Sequence, residues 1–315
     1  MDVAGELFFS KPFGGLDGSP EAKEYAHMID FAFANFLIKD ISRTFLTILK
    51  ASKSFLPKAV RDVAIAGDYV ANHAKMTLAN YISENGRDDD GRRNLLTKLL
   101  ASDLPDHEIE VEIFGMTFAA VDTTATVMTY IMYELSCHTK WQDKLRSELL
   151  AAELDGKDYA VSELYKLPIL GAVINETMRL HPPAIAGLPR ITPPEGAEID
   201  GLDVPGNVFV SVSPFVSQRN PEIFSEPDTF NPARWLNGEC DTPEAQDAWM
   251  LWGKGARECL GKQLAQNNLR VMVSRILSKM RVKLASEQVH DDMVHTDHFV
   301  LIPKGMKCLL IFDDV

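Results

Sequence analysis

The sequence predicts a mainly α protein with a minor β portion, and three observations predict it. Apolar residues recur at helical spacing through the first 180 or so positions. A stretch opening after Leu104-Pro105-Asp106 is long enough for a helix of about 30 residues, or about 45 Å. From Pro182 onward, prolines, glycines and short β-branched runs replace that pattern. At 315 residues, 46% of them hydrophobic and 24% charged, the chain is an ordinary globular one with enough length to bury a large core.

Taken in order, residues 31–38 are an apolar run. Residues 59–84 place Val60, Val63, Ile65, Val70, Met76, Leu78 and Ile82 at helix-like intervals. Residues 84–93, charged and punctuated by glycine, read as a solvated loop. The long helix is expected over 106–135, with Asp106 as N-cap and Glu108, Glu110 and Glu112 near its positive end. Its apolar part, 114–133, is broken by Asp122 and by five threonines. A charge at mid-bilayer costs about 2.5–3.5 kcal/mol, so a core helix is the better reading than a membrane span. Helices over 141–150 and 162–180 follow, the second stopped by His181-Pro182-Pro183. Small hairpins are expected near 198–200 and 208–212, then an irregular stretch over 221–248, a helix over 259–280 and a β-like tail at 299–302 and 308–312. No internal repeat is present.

Charge and cysteine usage exclude several classes. With 32 basic and 45 acidic residues the net charge is −13, and a phosphate backbone would repel such a chain, so no nucleic-acid partner is expected. Cys137, Cys240, Cys259 and Cys308 are too few and too scattered for a disulfide framework or a paired zinc site. The opening Met1-Asp2-Val3-Ala4-Gly5-Glu6 carries neither the basic nor the apolar part of a secretory leader.

The most informative stretch is Trp252-Gly253-Lys254-Gly255-Ala256-Arg257-Glu258-Cys259-Leu260-Gly261. It describes a tight loop presenting a sulfur ahead of an apolar helix, where the helix dipole and free amides favour a thiolate. Gly255 and Gly261 permit close approach of a flat partner, and Arg257 suits a carboxylate. Three further patterns stand in order with it: Glu176-Thr177-Met178-Arg179, Phe230-Asn231-Pro232-Ala233-Arg234-Trp235, and Ala119-Ala120-Val121-Asp122-Thr123-Thr124 on the long helix.

Together these residues resemble the cytochrome P-450 family of heme-thiolate monooxygenases. The loop matches that family's FxxGxRxCxG signature, with Trp252 in place of phenylalanine. Glu176 and Arg179 match its ExxR motif, Arg234 and Trp235 its PxRW-like segment, and Asp122 and Thr123 its distal-helix motif. Ala120 stands where glycine is usual.

The resemblance implies a P-450 fold, with 1–315 a single partial domain: a helical part to 180 containing the distal helix, then hairpins, meander, cysteine loop and proximal helix over 181–315. It implies heme b (iron protoporphyrin IX), with Cys259 as axial ligand of the iron and Arg257, more weakly Arg190, on the propionates. Gly255, Gly261 and Trp252 complete the cofactor-binding set. Thr123, supported by the acid Asp122, would relay protons to dioxygen. Glu176, Arg179 and Arg234 would form a buried ion-pair network.

No GxGxxG pattern follows a strand, so the electrons would come from outside, from an NADPH-cytochrome P-450 reductase docked on the basic surface of Lys254, Arg257 and Lys262. Phe114, Phe118, Ala119, Ala184, Ile185, Ala186 and Phe299 are expected to line an apolar distal pocket for a lipophilic small molecule. The cysteine segment looks most like fungal members, many of which oxidise secondary metabolites.

Because the resemblance begins at a segment normally well inside the family's chain, a missing N-terminal portion is expected, with no membrane anchor and a cytosolic or peripheral location. Members of the family are otherwise anchored in the endoplasmic reticulum membrane, facing the cytosol. Two readings compete with a working monooxygenase. One is a remnant that does not bind heme productively; the other is a thiolate-heme isomerase or dehydratase needing neither NADPH nor O2.

Overall fold

A computed structural model describes residues 1–88, 91, 93–153, 160–185 and 187–315. Asp89, Asp90 and Arg92 of the charged loop, and Ala186 of the expected pocket lining, lie outside the described residues. The chain is mainly α with minor β, as its sequence predicts. It divides into two compact units, Met1–Asp122 and Thr123–Val315, the division falling within one helix.

The first unit holds α1 (Asp2–Phe9), α2 (Pro20–Ile41), α3 (Arg43–Ala51), α4 (Lys58–Asn85), α5 (Leu95–Leu100) and the first part of α6 (Asp106–Cys137). α2 starts where Ser19 Oγ accepts from Ala22 N at 3.3 Å with Pro20 in the first turn, a favoured entry. Its buried face, Tyr25, Met28, Ile29 and Ala32, packs on Ala66 and Val70 of α4, with Phe114 and Phe118 of α6 against the same core. Gly67 is needed there, because a Cβ would stand 2.3 Å from the Asn35 amide oxygen.

α6 departs from expectation at its start. Asp106 is not the N-cap but a first-turn helical residue, and its carboxylate instead takes the Arg87 guanidinium at 2.7 Å. The helix is long and apolar enough to cross a membrane by length and composition. Ile109, Ile113 and Thr117 near one end and Val127, Tyr130, Ile131 and Leu135 near the other are buried, whereas most of its apolar stretch is only part-covered or exposed.

The second unit continues from α6 through α7 (Thr139–Ala151), α8 (Val161–Leu164), α9 (Pro168–Leu180), α10 (Pro214–Ser217), α11 (Pro243–Ala248) and α12 (Lys262–Lys279). The single helix expected over 162–180 is two helices. Pro168 cannot continue a helix from the preceding turn, but at an N-terminus it costs nothing, and it opens α9. Glu148 on α7 then accepts from the first free amides of α9, Ile169 N at 2.8 Å and Leu170 N at 2.9 Å. The core of this unit joins Val127, Ile131 and Leu135 of α6 to Leu145 and Leu149 of α7, Val173 and Met178 of α9 and Leu269, Val273 and Leu277 of α12.

Among the described residues, four small antiparallel pairs complete the unit: β1 (Arg190–Ile191) with β4 (Phe209–Val210), β2 (Ala197–Ile199) with β3 (Leu202–Val204), β5 (Met280–Leu284) with β8 (Leu310–Asp314), and β6 (His295–His298) with β7 (Val300–Pro303). The last helix is shorter than expected. It begins at Lys262, leaving Cys259 in the loop ahead of it.

Candidate active site

The cysteine loop is shaped by its own backbone. Gly255 stands at φ +73°, a left-handed conformation that side chains resist, and opens a short 3-10 turn, Gly255–Arg257. Cys259 N then donates to Trp252 O at 2.7 Å, closing the loop. The result is an exposed, free Cys259 thiol three residues before α12. A Cβ on Gly261 would sit 3.9 Å from Cys259 Sγ, so glycine leaves the sulfur uncovered on that side. Beside it Leu260 is 92% exposed, an apolar side chain with no apolar cover. Trp252 is partly buried against the core of the second unit, and its Nε1 is buried without a hydrogen-bond partner.

These features fit a thiolate-ligated heme. A soft sulfur donor stands free of competing partners among the described residues, with a bare leucine beside it suited to an apolar ring. Arg257 is exposed on the same loop, and no ion pair engages it among the described residues. Arg190 is exposed on β1, where its Nη1 donates to Pro189 O at 2.9 Å.

The loop is less basic than its sequence suggests. Lys254 pairs with Asp247 at 2.6 Å and Lys262 with Glu258 at 2.5 Å, so Arg257 carries most of the uncompensated charge.

Thr123 and Asp122 lie on the middle of α6. The run from Val121 to Thr124 is half-buried and Ala119 and Ala125 are exposed, between the packed ends of the helix. Asp122 is pushed up to about 7, first by burial and then by the nearby Asp30 carboxylate, against the pull of the amino terminus. It therefore holds its proton to near neutrality.

The structure brings Glu176, Arg179 and Arg234 together. Glu176 is fully buried and accepts from Arg179 Nε at 2.9 Å, Arg179 Nη2 at 2.9 Å and Arg234 Nε at 3.0 Å. Sequence reasoning missed its other donors, Asn231 N and Trp235 Nε1, each at 2.9 Å, and missed Glu239, which takes Arg234 Nη1. The indole N–H of Trp235, one residue after the matched arginine, was the available signal. Arg179 also donates to the Gln218 carbonyl at 2.9 Å and the Pro227 carbonyl at 2.7 Å, tying α9 to the irregular stretch before the cysteine loop.

A second buried polar group went unread. Glu134, His181 and His295 form a hydrogen-bonded chain beside Tyr130. Of the apolar residues expected to face a pocket, Ala184 is bridged to Val300, next to Phe299. Phe114 and Phe118 stack at 5.6 Å in the first unit.

Comparison with known proteins agrees with this loop and network. The family model for cytochrome P-450 matches residues 1–310. The chain is 28% identical to the cytochrome P-450 monooxygenase astD of Aspergillus oryzae over 287 residues, 90% of this chain and 55% of that protein. It is 40% identical to tryprostatin B 6-hydroxylase of Aspergillus fumigatus over 167 residues, 52% of this chain and 30% of that one. With trichothecene C-4 hydroxylase of Trichoderma arundinaceum it shares 29% identity, over 98% of this chain and 63% of that one. The chain thus spans about half the length of the curated relatives it matches. An exposed loop thiol ahead of α12, a buried Glu176–Arg179–Arg234 network and a family match along nearly the whole chain agree: the chain belongs to the cytochrome P-450 family.

Proposed function

We propose that this chain carries the core of a heme-thiolate monooxygenase that inserts one oxygen atom from O2 into a lipophilic small molecule in secondary metabolism, with electrons supplied by an NADPH-cytochrome P-450 reductase. The observation that carries the reading is the bare, exposed Cys259 thiol in its glycine-shaped loop, adjoining the exposed Leu260. Cys259 would be the axial ligand of heme b, with Arg257 and Arg190 toward the propionates and Trp252, Gly255 and Gly261 shaping the seat. When bound, a thiolate-ligated heme supplies oxygen-activating redox chemistry, its sulfur favouring O–O cleavage.

The residues of the chain do the rest. Asp122, whose carboxyl burial and Asp30 raise to about 7, would serve as the supporting acid, and Thr123, next along α6, would supply the hydroxyl that relays protons to dioxygen. Glu176, Arg179 and Arg234 hold α9 and the segment ahead of the cysteine loop in fixed register. The apolar Ala184, Ile185 and Phe299 suit a substrate bound by burial of apolar surface. By their names, two relatives hydroxylate tryprostatin B and a trichothecene, which supports hydroxylation of a secondary metabolite as the reaction class.

The test is turnover of tryprostatin B, as a probe, by the heme-loaded chain with reductase, NADPH and labelled O2. A product that carries one labelled oxygen and requires NADPH supports the proposal. Conversion without NADPH or O2 would point instead to an isomerase or dehydratase. Failure to take up heme would favour the non-catalytic remnant.

A further inference from the structure

Near the end of α6, Glu134 is buried, and its Oε1 accepts from His181 Nε2 at 2.7 Å. His181 follows the last residue of α9, and its Nδ1 lies 2.6 Å from Nε2 of His295, the first residue of β6. A carboxylate only accepts, so His181 Nε2 carries a hydrogen, and a single proton occupies the gap between the two rings. Tyr130 lies flat on His181, with centroids 4.0 Å apart and planes 8° apart, and its hydroxyl donates to Met293 O just before β6. Phe215 meets His295 edge to face at 5.9 Å.

The charged groups around the chain favour one proton between the rings. Burial raises Glu134, but hydrogen bonds from His138 and His181 outweigh it and hold the carboxyl down to about 2. Burial, then His181 and Arg219, push His295 down to about 4, with Glu134 opposing. Burial also lowers His181, with Arg219 and Arg179 in the same direction and Glu134 against them. The link is therefore intact near neutrality.

What it holds is the β6–β7 hairpin. The hairpin turns at Phe299, whose φ of +76° is a left-handed value unfavourable to a large side chain. Just past the turn, Val300 is bridged to Ala184, and Leu301 N donates to Pro183 O at 2.8 Å. The strained tip and the segment after α9 are thus tied to α6 through two imidazoles. Apolar packing is non-directional, whereas a chain of short hydrogen bonds fixes distance and angle together.

We propose that Glu134, His181 and His295 are positioning residues that set how far Phe299 and Ala184 reach into the substrate space, and so select the bulk of the lipophilic substrate. The inference rests on the monooxygenase reading only for what that wall faces.

The test uses the full chain, the variants His295→Phe and Glu134→Gln, and His295→Gln, whose amide can restore a polar contact near the Nε2 position. The readouts are hydrogen exchange at the Leu301 amide and spectral titration of the heme-loaded protein with 4-phenylimidazole, whose ring would press on the wall, and with imidazole, which would not. Expected for His295→Phe is exchange about tenfold faster at Leu301, with far-UV circular dichroism unchanged. Binding of 4-phenylimidazole is expected to weaken about fivefold with imidazole unaffected, His295→Gln recovering most of both effects. Glu134→Gln should shift both readouts in the same direction. Unchanged exchange and affinities, or equal weakening of both imidazoles, would overturn the proposal. If the wild-type chain takes up no heme, imidazole titrations fail at the outset and the monooxygenase reading falls, while Leu301 exchange still decides whether the tie exists.

Discussion

At the scale of single residues, Asp122 shows how burial sets a side chain's proton. Its carboxyl is raised from 3.8 to about 7 by burial and Asp30, so folding favours the neutral form. A raised acid costs stability as pH climbs from the unfolded value toward the folded one, fully above about 7 and not at all below about 4. Asp122→Asn should therefore raise the Tm at pH 8, leave it unchanged near pH 4, and lower turnover; thermal melts across pH with a parallel assay check both. Cys259 was legible because its loop, glycines and following helix are contiguous in sequence. Glu134, His181 and His295 were not, since their hydrogen bonds span 47 and 114 residues and no local pattern announces them.

At the scale of elements, buried charge networks decide stability. Glu176 is fully buried with five donors, so Glu176→Gln or Arg234→Ala leaves an unpaired charge and should cost about 3–5 kcal/mol in chemical denaturation. Arg146 on α7 donates to the Leu277 and Met280 carbonyls at the end of α12, satisfying acceptors that the helix cannot. Arg146→Met should cost about 1–3 kcal/mol by the same measurement.

Glu134 is lowered from 4.5 to about 2, so it adds stability above about 4.5 that is lost as pH falls through about 2. Glu134→Gln should lower the Tm at pH 7 and flatten this acid limb. Helix existence was legible from periodicity. The break between α8 and α9 needed the weight of Pro168, and the first-turn place of Asp106 reflects its pairing with Arg87, which spacing alone does not reveal.

For the whole molecule, a net charge of −13 sets the background against which a partner must dock. Lys254 and Lys262 are already paired with Asp247 and Glu258, so attraction to the proposed acidic reductase would be weaker than the sequence suggests. Lys254→Glu should slow electron transfer about threefold at low ionic strength and have little effect at high salt, by stopped-flow reduction. The fold class was legible from texture because helical periodicity dominates to about residue 180 and proline-rich hairpins follow, with one further long helix, α12, near the end. The central claim, that Cys259 is a heme-thiolate ligand, is tested most directly by the carbon monoxide difference spectrum of the reduced, heme-reconstituted chain. Ligation by Cys259 predicts the Soret band of thiolate coordination in the wild-type protein and its loss in Cys259→Ala; a wild-type chain that takes up no heme, or a band that survives Cys259→Ala, would rule that ligation out.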